Sequence, residues 1–190
     1  MLILAFCQDS PLAREGRRGR FAPHMQHLGS VMQSIRVAAP LATADGAVVS
    51  EGDRLVASVF ILESASLGAA SDLMAADPYT SPDVWQCVSL FTVNDESGQW
   101  LSAPGKSAAP GRLYAALSPV DGAESFAGTA LFRAHLELQK SLGDPTLARS
   151  WQSVCFFTAD SLEDAQSMFA RAQVWAIPMT AGSWPTQTPL

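Results

Sequence analysis

The chain has 190 residues, a hydrophobic fraction of 48% and a net charge of −6 from 12 basic and 18 acidic side chains. That length suits one ordinary domain or two small ones, with ample apolar material for a core, and the acidic balance leaves no electrostatic footprint for nucleic acid. The longest apolar runs, Leu2 to Cys7 and Val154 to Phe157, fall far short of the ~20 residues that cross a bilayer, so no membrane partner is expected. No secretory signal is expected either, because no basic stretch and apolar segment with a small-residue cleavage site opens the chain. Cys7, Cys87 and Cys155 are odd in number, lack metal-like spacing and sit in apolar segments. They read as reduced, buried core residues of a cytoplasmic protein.

In chain order, Leu2 to Cys7 is short, apolar and free of breakers, as a strand with little solvent exposure would be, and Gln8-Asp9-Ser10-Pro11 ends it. Arg14, Arg17, Arg18 and Arg20 form the one basic cluster. It reads first as a solvated loop and second, through Arg20, as a rim suited to an anionic group. A first helix is expected from about Pro23 to Ser34, since proline fits a first helical turn and Met25, Leu28, Met32 and Ile35 recur at helical spacing. That stripe would face the core, with His24 on its edge.

Val37 to Leu41 reads as a second strand, its Pro40 suggesting an edge or bulge, and Asp45-Gly46 before Val48-Val49 as a hairpin or loop. Leu55 to Leu62 is the clearest strand. A second helix follows from Ser64-Ala65-Ser66-Leu67 to about Ala76, with Leu67, Ala70 and Met74 on one side, and Pro78 stops it. Trp85 to Val93 supplies a fourth strand. Strand, helix, strand, strand, helix, strand is the ferredoxin-like arrangement, an antiparallel sheet with both helices on one face.

Asn94 to Gly111 is rich in Ser, Gly, Pro and Ala and reads as a linker. The pattern then resumes with a strand from Arg112 to Leu117, a helix expected over Ala130 to Leu142, a strand over Ser153 to Phe157, a helix after Asp160-Ser161-Leu162, and a last strand over Val174 to Pro178. In this alignment His24 matches His135, while Asp77 falls opposite Ala172. The expectation is a module over 1–94 with one complete site, a linker over 95–111, a shortened second module over 112–180 with little left of its second strand, and a tail over 181–190. The fold class is α+β: two ferredoxin-like βαββαβ modules in tandem, their sheets packing as a barrel within one chain. Edge strands left by the shortened copy leave pairing into a homodimer open.

Four segments of the first half carry a resemblance: Ala5-Phe6-Cys7-Gln8-Asp9, Ala22-Pro23-His24-Met25-Gln26-His27-Leu28, Ala38-Ala39-Pro40-Leu41 and Ala75-Ala76-Asp77-Pro78-Tyr79. In that order and spacing they resemble the YciI-like (YCII-related) family of the dimeric α/β-barrel superfamily. The resemblance implies a sheet-to-sheet barrel and an active-site pair at His24 and Asp77.

The residues themselves suit that chemistry. An imidazole in a first helical turn is favoured in its neutral, proton-accepting form by the helix dipole, and a carboxylate can orient it and stabilise the imidazolium that proton uptake creates. Such a pair serves proton abstraction followed by elimination, isomerisation or ring closure, so the leading expectation is a lyase, isomerase or cyclase without a cofactor. Arg20, His27, Tyr79, Phe60 and Trp85, with Trp151 and Trp175, are expected to line a pocket for an aromatic or polyketide-like small molecule. The plainer reading makes the histidine a hydrogen-bonded structural residue, the Asp-Pro pair a self-capped helix end and the aromatics ordinary core. Beside the enzyme stand a non-catalytic ligand-binding barrel and, more weakly, a haem- or metal-dependent protein. His24 and His27 share a helical face, yet no third ligand has a persuasive spacing, so no metal is assigned.

Overall fold

The computed structural model describes residues 1–43, 55–95, 112–119 and 130–178. The expected hairpin at Asp45-Gly46, nearly all of the expected linker and the tail over 181–190 lie outside them. The chain begins with β1 (Leu2–Asp9), followed by α1 (Ala13–Val31), β2 (Ile35–Ala42), β3 (Leu55–Glu63), α2 (Leu67–Ala75) and β4 (Trp85–Asp95). The second half supplies β5 (Arg112–Ser118), β6 (Ala130–Gly143), β7 (Ser153–Ala159), α3 (Leu162–Ser167) and β8 (Gln173–Ala176).

All strand pairs are antiparallel and close in the order β1-β3-β2-β8-β5-β7-β6-β4. Within each half the order is the ferredoxin-like one, and the halves exchange edges. β4 pairs with β6 from Cys87↔Gly143 to Asp95↔Ala134, whereas among the described residues β2 meets β8 at Ala42↔Ala176. The sequence left edge strands open to a second chain; the β4–β6 pairing uses two of those edges within the chain.

Strand composition follows from this closure. Leu4 and Phe6 of β1 point into the barrel with Val59 and Ile61 of β3, Phe132 of β6 and Phe156 of β7, while Ile3, Ala5 and Cys7 lie under the helices with Phe60 and Leu62. A strand buried on both faces needs apolar residues at consecutive positions, which is why β1 and β3 read as unbroken apolar runs. Among the described residues no helix is long and apolar enough to cross a membrane.

Three sequence expectations change. The helix expected over Ala130 to Leu142 is the long strand β6, so the second strand of the later module is its longest element, not a remnant. Its signal is a period of two, with Phe132, Ala134 and Leu136 buried between Arg133, His135 and Glu137. His135 therefore stands on a strand opposite Asn94 and does not match His24; the sequence between β5 and β6, 119–129, contains no histidine. Second, α1 starts ten residues before Pro23, so the arginine cluster is helical, not a loop, and His24 is not in a first turn. Alanine, arginine and glutamate favour helix there, and the proline sits exposed, where water can take the Gly19 carbonyl that loses its helical donor. Third, the face of α1 turned to the sheet contains Ala13, Gly16 and His24, while Met25 is 47% exposed.

The second strand-to-helix junction is as expected. Ser66 and Ser161 both cap helices, their Oγ atoms accepting from the backbone N–H groups of Ala69 and Asp164.

The β4–β6 seam ends at Gly143, which has φ +81° and lies against the Gln86 carbonyl. A Cβ there would clash with backbone and force a left-handed conformation that glycine alone tolerates freely. Gly143→Ala is expected to lower the unfolding free energy by about 2 kcal/mol or more, read as a shift of the urea midpoint at unchanged slope; a shift near zero would contradict the seam geometry.

Candidate active site

α1 lies on the outer face of the first sheet, and glycine sets how close it comes. A Cβ on Gly16 would stand 2.5 Å from the Asp83 carbonyl oxygen and 2.7 Å from Val84 Cγ2, so the helix approaches the segment before β4 more nearly than a side chain would permit. Two turns on from Arg17, on the same helical face, His24 is buried with 7% of its surface exposed.

The carboxylate that meets it comes from the end of α2. Thr80 Oγ1 donates to the Met74 carbonyl at 2.6 Å, and Pro78 prevents the helix from continuing. Asp77 is left turned inward, 3% exposed. Its carboxylate lies 2.8 and 3.0 Å from His24 Nδ1 through its two oxygens, and Oδ1 also accepts the Tyr79 backbone N–H at 2.8 Å. Asp77 thus caps its own turn and holds the histidine as well. An ionised carboxylate only accepts, so Nδ1 must carry the proton, and in the neutral imidazole Nε2 is then the basic nitrogen. Among the described residues Nε2 has no hydrogen-bond partner. It is also not one of the sealed, unpartnered polar atoms, which belong to Gln8, Ser81, Trp85 and Trp151.

Aromatic rings frame the imidazole. The Tyr79 ring stacks on it at 3.8 Å between centroids and 7° between planes. Trp85 is perpendicular to both, 5.7 Å from His24 and 5.4 Å from Tyr79. A ring almost equidistant from two stacked rings must lie beside the stack, so Trp85 forms its side wall, and Phe60 packs against that wall at 5.6 Å.

Of the remaining expected site residues, Arg20 pairs with Asp83 at 2.5 Å with both side chains partly exposed. His27 donates Nε2–H to the Leu73 carbonyl at 3.1 Å, tying α1 to α2. Trp151 and Trp175 are not part of this layer. They face the barrel interior beside Phe6, at 5.9 and 5.8 Å from its ring: β8 turns Trp175 inward, and Trp151 lies in the segment that leads into β7. Among the described residues no group of three His, Cys, Asp or Glu side chains is placed to hold a metal ion. All three cysteines are buried; burial pushes the Cys7 thiol well above its ordinary range, with Asp77 and Asp9 adding to it, and raises Cys155 to about 12.

One feature of the site escaped the sequence reading. Arg17 donates Nε–H to Asp9 Oδ2 at 3.0 Å and Nη2–H to Asp9 Oδ1 at 2.6 Å and Ser58 Oγ at 3.0 Å, and its guanidinium carbon lies 5.2 Å from the Tyr79 centroid. The seven-residue step from Arg17 to His24 was the available signal, once the helix was known to extend that far back. Burial pushes the Asp9 carboxyl above the ordinary carboxylate range although Arg17 pulls it down: the loss of water outweighs the partner.

Fold and site together define a tandem α/β barrel of the dimeric type, with a histidine–carboxylate pair under the helices of one sheet. No family model and no curated protein matches the chain. Among solved structures, a 5-chloro-2-hydroxyhydroquinone dehydrochlorinase from Burkholderia phenoliruptrix AC1100, in complex with 2,5-dihydroxybenzoquinone, is similar over 47% of this chain and 90% of that one, at 22% identity and a TM-score of 0.43. A presumptive monooxygenase from Fusobacterium nucleatum is similar over 93% of this chain and 90% of that one, at 7% identity and a TM-score of 0.40.

Replacing Arg17 by methionine strands the Asp9 carboxylate in a buried position, which is expected to cost about 3–5 kcal/mol at neutral pH. The folded pKa of Asp9 already exceeds its unfolded value and would rise further without the guanidinium. The charge penalty is therefore absent below the unfolded pKa, grows as pH rises above it and is complete once pH has passed the folded one. Urea unfolding of both proteins should show the deficit shrinking from neutral pH to about pH 4; an equal deficit at both would place the effect elsewhere.

Proposed function

We propose that this chain is a YciI-like, cofactor-independent enzyme of small molecules, in which His24 moves a proton through Nε2 and Asp77 orients and electrostatically supports the imidazole. The observation that carries the reading is the buried bond from His24 Nδ1–H to both oxygens of Asp77, with Nε2 left without a partner among the described residues. A structural histidine gains little from presenting an unpaired basic nitrogen, whereas a general base requires one. In the proposed step Nε2 takes a proton from a carbon or hydroxyl of the substrate, Asp77 stabilises the imidazolium, and the same proton returns at a second position or to a leaving group. Elimination, isomerisation and ring closure all fit that cycle.

An aromatic or polyketide-like substrate is supported by the surroundings. Phe21 and Met25, on the helix turn that carries His24, are 54% and 47% exposed and offer apolar surface beside it, whereas Tyr79 and Trp85 are buried behind the imidazole. Flat apolar molecules gain most from such surfaces.

The test is a panel of substituted phenols and cyclic ketones followed by absorbance, with His24→Ala and Asp77→Asn as controls. For any compound turned over, both substitutions are expected to lower kcat by about 10²–10⁴-fold. Full turnover by a folded His24→Ala variant would remove the pair from the chemistry and leave a ligand-binding barrel, the role that the self-capping turn of Asp77 also suits.

A further inference from the structure

Tyr79 touches both members of the pair. Its backbone N–H fixes Asp77 Oδ1 at 2.8 Å, and its ring lies flat on His24 at 3.8 Å. The ring is itself held at its far end, where the phenol donates to the Arg17 carbonyl at 3.1 Å, and Trp85 stands perpendicular beside it. Arg17 is in turn fixed by Asp9 of β1 and Ser58 of β3.

We propose that Tyr79 is a positioning residue that sets the plane of the His24 ring, in place of the substrate contact its aromatic character suggests. The inference rests on the His24/Asp77 reading and adds the element that the pair alone lacks. A hydrogen bond from Nδ1 fixes the direction of one ring atom but allows the imidazole to swing about the Nδ1–carboxylate axis, and the outer torsion of a histidine is broad. The basic lone pair of Nε2 lies in the ring plane. Only a contact with the ring face fixes that plane, and Tyr79 supplies it at van der Waals distance and nearly parallel. Arg17, Asp9 and Ser58 then connect the orientation of a helix side chain to two strands of the sheet. Burial pushes the Tyr79 phenol above its ordinary range, so it remains a donor to the Arg17 carbonyl at neutral pH.

The imidazole resonances report the arrangement without a substrate. In the wild-type protein the His24 ring protons are expected well upfield from the Tyr79 ring current, with cross-relaxation between the two rings, and the ring nitrogens should show a single tautomer with Nδ1–H. Tyr79→Leu keeps the backbone N–H to Asp77 but removes the ring face; the upfield shift should vanish and, while Asp77 keeps the Nδ1–H tautomer, the cross-relaxation from the imidazole protons to the Trp85 ring should weaken as the ring plane is released. Tyr79→Phe should restore the shift and the imidazole–Trp85 cross-relaxation. The proposal is overturned if the wild-type ring protons lack the upfield shift, or if folded Tyr79→Leu keeps the wild-type cross-relaxation between the imidazole and Trp85. Should Tyr79→Leu not fold, the wild-type spectrum and Tyr79→Phe decide: loss of the upfield shift in Tyr79→Phe overturns it. Failure of the chemical reading shows elsewhere, as turnover by His24→Ala, and would leave these resonances unchanged.

Discussion

Edge exchange between the two sheets is the constraint that orders this molecule. Hydrogen bonding of β4 to β6 along most of β4 gives each half the partner that an isolated four-stranded sheet lacks. It also turns one face of each sheet into a shared interior packed with Phe6, Phe91, Phe132, Phe156 and Trp175. Once that interior is closed and apolar, polar chemistry is displaced to the opposite faces, under the helices. The His24/Asp77 pair lies there, outside the barrel, in the layer that contains Cys7, Phe60, Met74 and Trp85.

Within that layer the polar groups are held by elements from different parts of the chain. α1 brings Arg17 and His24, the end of α2 brings Asp77 and Tyr79, and β1 and β3 bring Asp9 and Ser58. Each of the charged groups has a partner with good geometry, as burial demands. The second module also reaches this region: Lys140 of β6 donates to the buried Ser71 of α2 at 2.8 Å, so a strand of the later half braces the helix whose end presents the carboxylate.

The first half of the fold was legible because its strands are buried on both faces and its helix ends carry explicit signals, Ser66 at a start and Pro78 after an end. The contact between His24 and Asp77 was inferred from a resemblance, not from periodicity, and spacing alone cannot state which side chains meet across 53 residues. The dipole argument for His24 does not survive, because α1 begins at Ala13; the support for the imidazole comes from Asp77 and Tyr79 instead. Pro23 misled by being compatible with a first turn while tolerated on an exposed helical side. β6 was misread because Leu131, His135 and Leu138 happen to fall at helical spacing, whereas the alternation of Phe132, Ala134 and Leu136 was the stronger pattern. Arg17 was hidden inside a cluster whose other members look like ordinary solvated charge.

Joining both sheets in one chain has a further effect on what the halves can be. In a barrel assembled from two identical subunits, every residue change appears twice, so neither sheet can vary without the other. Here Asp77 stands two residues past the end of α2 where Phe169 stands two past the end of α3, the link preceding β6 holds no imidazole, and α3 is six residues long against nine for α2. Covalent linkage thereby releases one half from duplicating the other: it can have its own loops and helix lengths, while the first half holds the His24/Asp77 pair. A histidine–carboxylate pair under one sheet with no copy required under the other is the arrangement that covalent linkage permits and that a symmetric pair forbids.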